Sequence, residues 1–312
     1  MTSTAIYQPQ RPSASHMLPV RTLGYHVNVW RGPQADTRAP LLVLTHGWMD
    51  VGASYQFVVD AFSQAFAEAR TIIAPDWRGF GRSMPPTPCD SYYYSDYLAD
   101  LDALLDHFSP DAPVDLVGHS MGGNVVSWYA GARPERIRRL VNLEGFGMPA
   151  TSPAQAPARL ARWMDELRAQ RAGEQGLKTY DSLEAVAARL IKTNPRLTMD
   201  KALWLANHWA ERNSEGRWAL RADDAHKIVN PVLYRVEEAL ACMRATTAPV
   251  LSVEASDNHL ERWFKGSYTL AQYHERLQSL PDCRSARVEG AGHMLHHDQP
   301  EAVARLIEDF CR

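Results

Sequence analysis

The sequence predicts a parallel, doubly wound α/β sheet interrupted by an all-helical insertion. Three observations carry this reading. Short aliphatic runs recur at residues 41–44, 71–74, 114–117, 140–143 and 250–253, a further strand is expected at 286–289, and Leu41-Leu42-Val43-Leu44 has the continuous apolar character of a strand covered on both faces. Amphipathic stretches separate the early runs, and strands alternating with helices make a parallel sheet. Residues 145–241 then break the rhythm, with almost a hundred residues in which no buried strand is evident.

In chain order, residues 1–19 are rich in Ser, Thr, Pro and Gln without period and suit a flexible tail. Residues 22–30 alternate and carry β-branched side chains, as a strand near a sheet edge does. The turn-forming Gly32-Pro33 precedes the first buried strand. Helices are expected at 56–69 and at 96–108, where Tyr97, Leu101, Leu104, Leu105 and Phe108 recur at helical spacing. The insertion opens with a Pro/Ala segment at 149–157. It runs through helical patterns at 159–170, 182–192 and 200–210, and carries Trp163, Trp204, Trp209 and Trp218. Each Trp suits packing, and together they would give a pocket an aromatic roof. A helix at 301–310 closes the chain. The expected organisation is a tail (1–19), a core in two parts (20–145 and 242–312) and an inserted helical lid (146–241).

The composition is 45% hydrophobic and 22% charged with a formal net charge of -3, which gives no basis for binding nucleic acid or an anionic membrane. No apolar run is long enough to span a bilayer, and the first 25 residues lack a basic start and an apolar h-region, so a cytoplasmic protein acting on a small molecule is expected. Cys89, Cys242, Cys283 and Cys311 include no C-x-x-C pair and read as reduced structural thiols.

The chemistry centres on Gly118-His119-Ser120-Met121-Gly122, which follows an aliphatic strand and opens a helix. That context makes it a nucleophile elbow, with Ser120 at strained dihedrals and glycines where a Cβ would collide with strand or helix. A serine needs a base, and Gly290-Ala291-Gly292-His293 after the last strand supplies His293. The oxyanion needs rigid donors. The turn Thr45-His46-Gly47-Trp48-Met49-Asp50 offers the Trp48 amide beside that of Met121, with His46, Gly47 and His119 expected to line the substrate site. His296, His297 and Asp298 invite a metal reading, but no second ligand cluster is evident, so neither metal nor cofactor is expected.

With His46-Gly47-Trp48, Asp76-Trp77-Arg78-Gly79-Phe80-Gly81-Arg82-Ser83, the elbow and Gly290-Ala291-Gly292-His293 in this order, the chain over 20–312 resembles the α/β-hydrolase superfamily. Residues 46–50, 92–97 and 190–197 are most similar to its serine hydrolase-like group. The resemblance implies an eight-stranded, mostly parallel sheet with the lid inserted after strand six, just beyond Leu143. It also implies that Asp76, Arg78, Gly79, Arg82 and Ser83 form a structural turn.

The triad acid of such proteins commonly follows strand seven, three residues after a glycine. Here Ala255 replaces the glycine, Asn258 takes the acid's place, and Asp257 comes one residue early. The other location used is directly after strand six, where this chain has Glu144. A carboxylate at the tip of an apolar strand is costly unless partnered, and the His293 Nδ1–H would satisfy it. Glu144, Asp257 and a water-supported dyad all stay open.

The expected function is a serine hydrolase acting on an ester-like bond through an acyl-enzyme on Ser120. The alternatives are a ligand-binding, receptor-like member of the fold, or a lactone or carbon-carbon bond hydrolase. Serine at the elbow counts against the haloalkane dehalogenase and epoxide hydrolase branches, which place an Asp there.

Overall fold

A computed structural model describes residues 6–35 and 39–312. Its main sheet has eight strands: β1 (Ala14–Val20), β2 (Leu23–Arg31), β3 (Leu42–Thr45), β4 (Thr71–Pro75), β5 (Val114–His119), β6 (Ile137–Leu143), β7 (Val250–Ala255) and β8 (Cys283–Val288). The spatial order is β1-β2-β4-β3-β5-β6-β7-β8. β2 runs antiparallel to both neighbours, and every other pairing is parallel.

The central strands are largely apolar because alternate residues feed two separate cores. Val43 and Leu116 join a cluster with Tyr97, Leu101, Leu104, Val125 and Tyr129 of the helices Tyr94–Phe108 and Met121–Ala132. Leu42, Leu44 and Val117 face the other way, onto Val58, Val59, Phe66, Val303 and Ile307. A buried acid interrupts this pattern. Asp115 is fully buried on β5, and its carboxylate accepts hydrogen bonds from Arg70 (3.1 Å) and Arg138 (2.6 Å).

Two expectations need correction near the N-terminus. Within the expected 1–19 tail, residues 1–5 lie outside the described region, but Tyr7, Gln10 and Arg11 hydrogen-bond to Asp60 and Ala14–Val20 is an edge strand. That strand is mostly exposed, so its polar sequence hides the pairing with β2. The helix expected at 56–69 is two, Gln56–Ala61 and Gln64–Glu68, parted at Phe62 by an extended backbone.

Between β6 and β7 lie the helices Ala156–Arg171, Leu183–Thr193 and Met199–Trp209. The insertion is not all-helical. Thr179–Tyr180, Trp218–Leu220 and Ala210–Arg212 form a small antiparallel sheet whose strands are too short to show a period. It is pinned to the core by a Gly81 N–H to Arg221 carbonyl bond (2.8 Å) and by His226, which stacks between Phe80 and Tyr92 at 3.8 and 3.9 Å. Among the described residues, no helix is long and apolar enough to cross a membrane.

Candidate active site

β5 ends at His119, and the helix Met121–Ala132 starts two residues on, so Ser120 must reverse the chain alone. It does so at φ 52° and ψ -115°, a conformation costly for a residue with a Cβ. Glycines make room for the reversal. A Cβ on Gly118 would stand 2.5 Å from the Gly122 carbonyl oxygen, and one on Gly122 would stand 2.5 Å from that of Thr45. The hydroxyl so presented lies 2.9 Å from Nε2 of His293.

His293 is brought there by the loop after β8, which turns at Gly290 (φ 68°). Its Nδ1 faces Oε2 of Glu144 at 3.2 Å. Glu144 itself sits at φ 56°, directly after β6, and Oε1 accepts the Ala255 N–H at 2.7 Å. Burial opposes charge on either partner. It pushes the Glu144 carboxyl up to about 8 against the hydrogen bond from Ala255, and burial with the neighbouring His296 and His259 pushes the His293 imidazole below its ordinary value.

Asp257 is elsewhere. It is exposed and its carboxylate accepts from Arg196 of the insertion at 2.7 Å, an interaction that lowers its pKa. The two candidate acids are thus separated by geometry, and only Glu144 touches His293.

The turn after β3 packs against the elbow, since a Cβ on Gly47 would lie 3.1 Å from that of Ser120. Met121 opens its helix, so its amide is among those a first turn leaves without an intrahelical acceptor. Trp48 next to Gly47 is 53% exposed.

Two residues expected to meet substrate are engaged otherwise. His46 is fully buried, its Nδ1–H donating to the Gly47 carbonyl (2.7 Å) and its Nε2 accepting the Trp77 N–H (2.8 Å). His119 is also buried, and its Nε2–H donates to the His293 carbonyl at 2.8 Å. Both rings therefore hold backbone in place, and His119 fixes the segment that carries His293.

Asp76 accepts from Gly52 N–H (2.8 Å), Arg82 N–H (2.9 Å) and His26 Nδ1–H (2.8 Å), which fixes the turn after β4. Sequence reasoning missed Trp263, which meets the His293 ring edge to face at 4.3 Å. It stands on the four-residue helix Leu260–Trp263, too short for a periodic signal. It also missed Asp50, whose Oδ1 accepts from Trp209 Nε1 of the insertion at 3.0 Å and which lies beside His296 and His297.

Residues 40–300 match the sequence profile of the alpha/beta hydrolase fold family. The chain belongs to that family. A serine hydrolase-like protein of Danio rerio is 25% identical over 305 residues, covering 96% of this chain and 89% of its own length. Epoxide hydrolase A of Mycobacterium tuberculosis is 24% identical over 86% of this α/β-hydrolase chain and 90% of its own. The thioesterase domain from the curacin biosynthetic pathway superposes with a TM-score of 0.79 at 21% identity, covering 95% and 99% of the two chains. Within the family, this α/β hydrolase stands close to the serine hydrolase-like group.

Proposed function

We propose that this α/β hydrolase is a serine hydrolase that cleaves an ester-like bond in a small to medium, partly apolar molecule. The observation that carries the reading is the line Ser120 Oγ, His293 Nε2, His293 Nδ1, Glu144 Oε2, with separations of 2.9 and 3.2 Å at its two hydrogen-bonding steps. With Glu144 ionised and accepting from Nδ1–H, the Nε2 lone pair is aimed at the serine hydroxyl. His293 takes the proton as Ser120 attacks the carbonyl, and the amides of Trp48 and Met121 receive the oxyanion. The protonated imidazole then gives its proton to the leaving oxygen. Water repeats the sequence on the acyl-enzyme and regenerates the serine.

No step in this scheme calls for a cofactor. The insertion acts as the lid, and the half-exposed Trp263 against the His293 ring supports an apolar substrate portion. Serine at position 120 favours acyl transfer over the alkyl-ester chemistry of a carboxylate elbow, although one relative is named an epoxide hydrolase.

The test is hydrolysis of p-nitrophenyl esters of rising acyl length by wild type and Ser120→Ala. Turnover that disappears in the variant supports the reading, and the length optimum sizes the pocket. Folded wild type inert towards every ester would overturn it and favour a ligand-binding role.

A further inference from the structure

Behind the proposed triad, the turn after β3 and the helix Leu295–Asp298 bring three potential ligands together. Asp50, His296 and His297 are each buried, and their donor atoms all lie within 4.8 Å of one another. The first follows β3 in the middle of the sheet and the others follow β8 at its edge, far later in the chain, so no window of sequence brings them together.

We propose that Asp50, His296 and His297 form a site for a divalent transition-metal ion of the zinc class. His296 Nε2 is 3.6 Å from Asp50 Oδ2 and 3.4 Å from Ser54 Oγ. Both separations are long for a strong hydrogen bond. They are close to the roughly 3.3 Å between neighbouring donors on a tetrahedral ion bonded at about 2.0–2.1 Å. His297 Nε2 is buried and has no hydrogen-bond partner among the described residues, so a metal bond there would break no existing contact of that atom. A modest ring rotation brings it to the ion. Ser54 Oγ, 2.9 Å from Asp50 Oδ2, or a water molecule would supply the fourth position.

The protonation states suit ligation. Burial and the adjacent His296 hold His297 well below its ordinary value, so its lone pair is available. The Asp50 carboxylate accepts hydrogen bonds from the Val51 N–H (2.9 Å), Ser54 Oγ–H (2.9 Å) and Trp209 Nε1–H (3.0 Å), donors that favour its ionised form. Two imidazoles and one carboxylate are a familiar donor set for zinc.

The ion would cross-link two segments that the proposed function uses. Asp50 follows Trp48 in the turn that packs on the elbow, and His296 follows His293 in the loop that carries the base. The His119 ring lies between, with its centroid 4.7 Å from His293 and 4.3 Å from His296. This consequence rests on the serine hydrolase reading, whereas the binding itself does not.

The experiment is metal uptake by the full-length chain. Protein stripped with a chelator is titrated with Co²⁺ and Zn²⁺, following the cobalt visible absorption and Tm, and protein expressed in zinc- or cobalt-supplemented medium is assayed for metal content. Wild type and Ser120→Ala should each hold one equivalent with a cobalt spectrum of tetrahedral N/O type, and saturating Zn²⁺ should raise Tm by about 5 °C. Asp50→Asn and His297→Phe should bind at least about 100-fold more weakly. Binding of neither ion by wild type, or undiminished binding by folded His297→Phe, overturns the proposal. If neither variant folds, X-ray absorption of the wild-type cobalt form decides, since any ligand set without two imidazoles overturns it. Because Ser120→Ala is titrated in parallel, a failure of the esterase reading leaves this result intact.

Discussion

Glu144 Oε2 lies 3.2 Å from His293 Nδ1, while Asp257 is held outward by Arg196 at 2.7 Å. The orienting role therefore falls on Glu144 in our reading. Glu144→Gln should lower kcat by about 10³- to 10⁴-fold, the scale of loss when a triad acid becomes an amide. Asp257→Asn removes only an exposed ion pair and should change the rate by less than about fivefold. Steady-state ester hydrolysis by the two variants checks this, and a collapse confined to Asp257→Asn would reverse the assignment.

The same pair sets a pH profile. Burial raises Glu144 to about 8 and lowers His293, so below that value the two groups share one proton and the base-competent form, with Glu144 ionised and Nε2 free, is scarce. Losing the shared proton creates that form. Ester turnover should then rise with pH and level off above about 8. In Glu144→Gln the imidazole titrates alone, so its much smaller residual rate should reach a plateau at lower pH. A kcat/KM profile unchanged in midpoint by the substitution would show that Glu144 is not the titrating partner.

Much of this arrangement was legible because the chemistry sits where the residue pattern is least ambiguous. β5 is an aliphatic run broken by Asp115 that leads into Gly118-His119-Ser120, and the loop to His293 is marked by Gly290 and Gly292. Glu144 was legible as an acid stranded at the tip of an apolar strand, although only the fold could choose between it and Asp257. What escaped lacks local signature. Ala14–Val20 needs only one partner strand and exposes most of its side chains, so it reads as coil. Trp263 lies on a helix of four residues. His46 and His119 read from sequence as substrate-site residues, and only the structure reveals that both His46 ring nitrogens and Nε2 of His119 hold backbone. Asp50 meets His296 and His297 through the sheet's crossovers, which no window of sequence contains.

Gly122 is a point of close approach between the elbow and the turn after β3. A Cβ there would stand 2.5 Å from the Thr45 carbonyl oxygen and 2.6 Å from that of His46, both of them backbone atoms. Gly122→Ala must push the turn away from Ser120, at a cost of about 1–3 kcal/mol in stability. Because the turn carries the Trp48 amide, the loss should appear chiefly in kcat, by about 100-fold, the scale of one oxyanion donor. Thermal melts beside kinetics test this. A variant that loses stability but retains kcat would separate the turn from the oxyanion.

Asp76 gives a prediction about stability alone. Burial opposes its charge, yet hydrogen bonds from His26 and the Arg82 N–H, with the Gly52 N–H on its other oxygen, leave its pKa below the ordinary carboxylate value. A carboxylate whose folded value is depressed stabilises the fold above its unfolded pKa, and that contribution fades as pH falls through the acid range. Asp76→Asn turns an amide NH₂ towards at least one of these donors. The expected cost at pH 7 is about 3 kcal/mol, or a fall in Tm of about 5 °C. The gap between wild type and variant should narrow below about pH 4, where the unfolded chain's carboxylate takes up a proton that the native one, with its depressed pKa, still refuses. Melts recorded from pH 7 down to pH 3 distinguish this from packing. A gap that stays constant across that range would mean that the side chain's shape, and not its charge, holds the turn after β4.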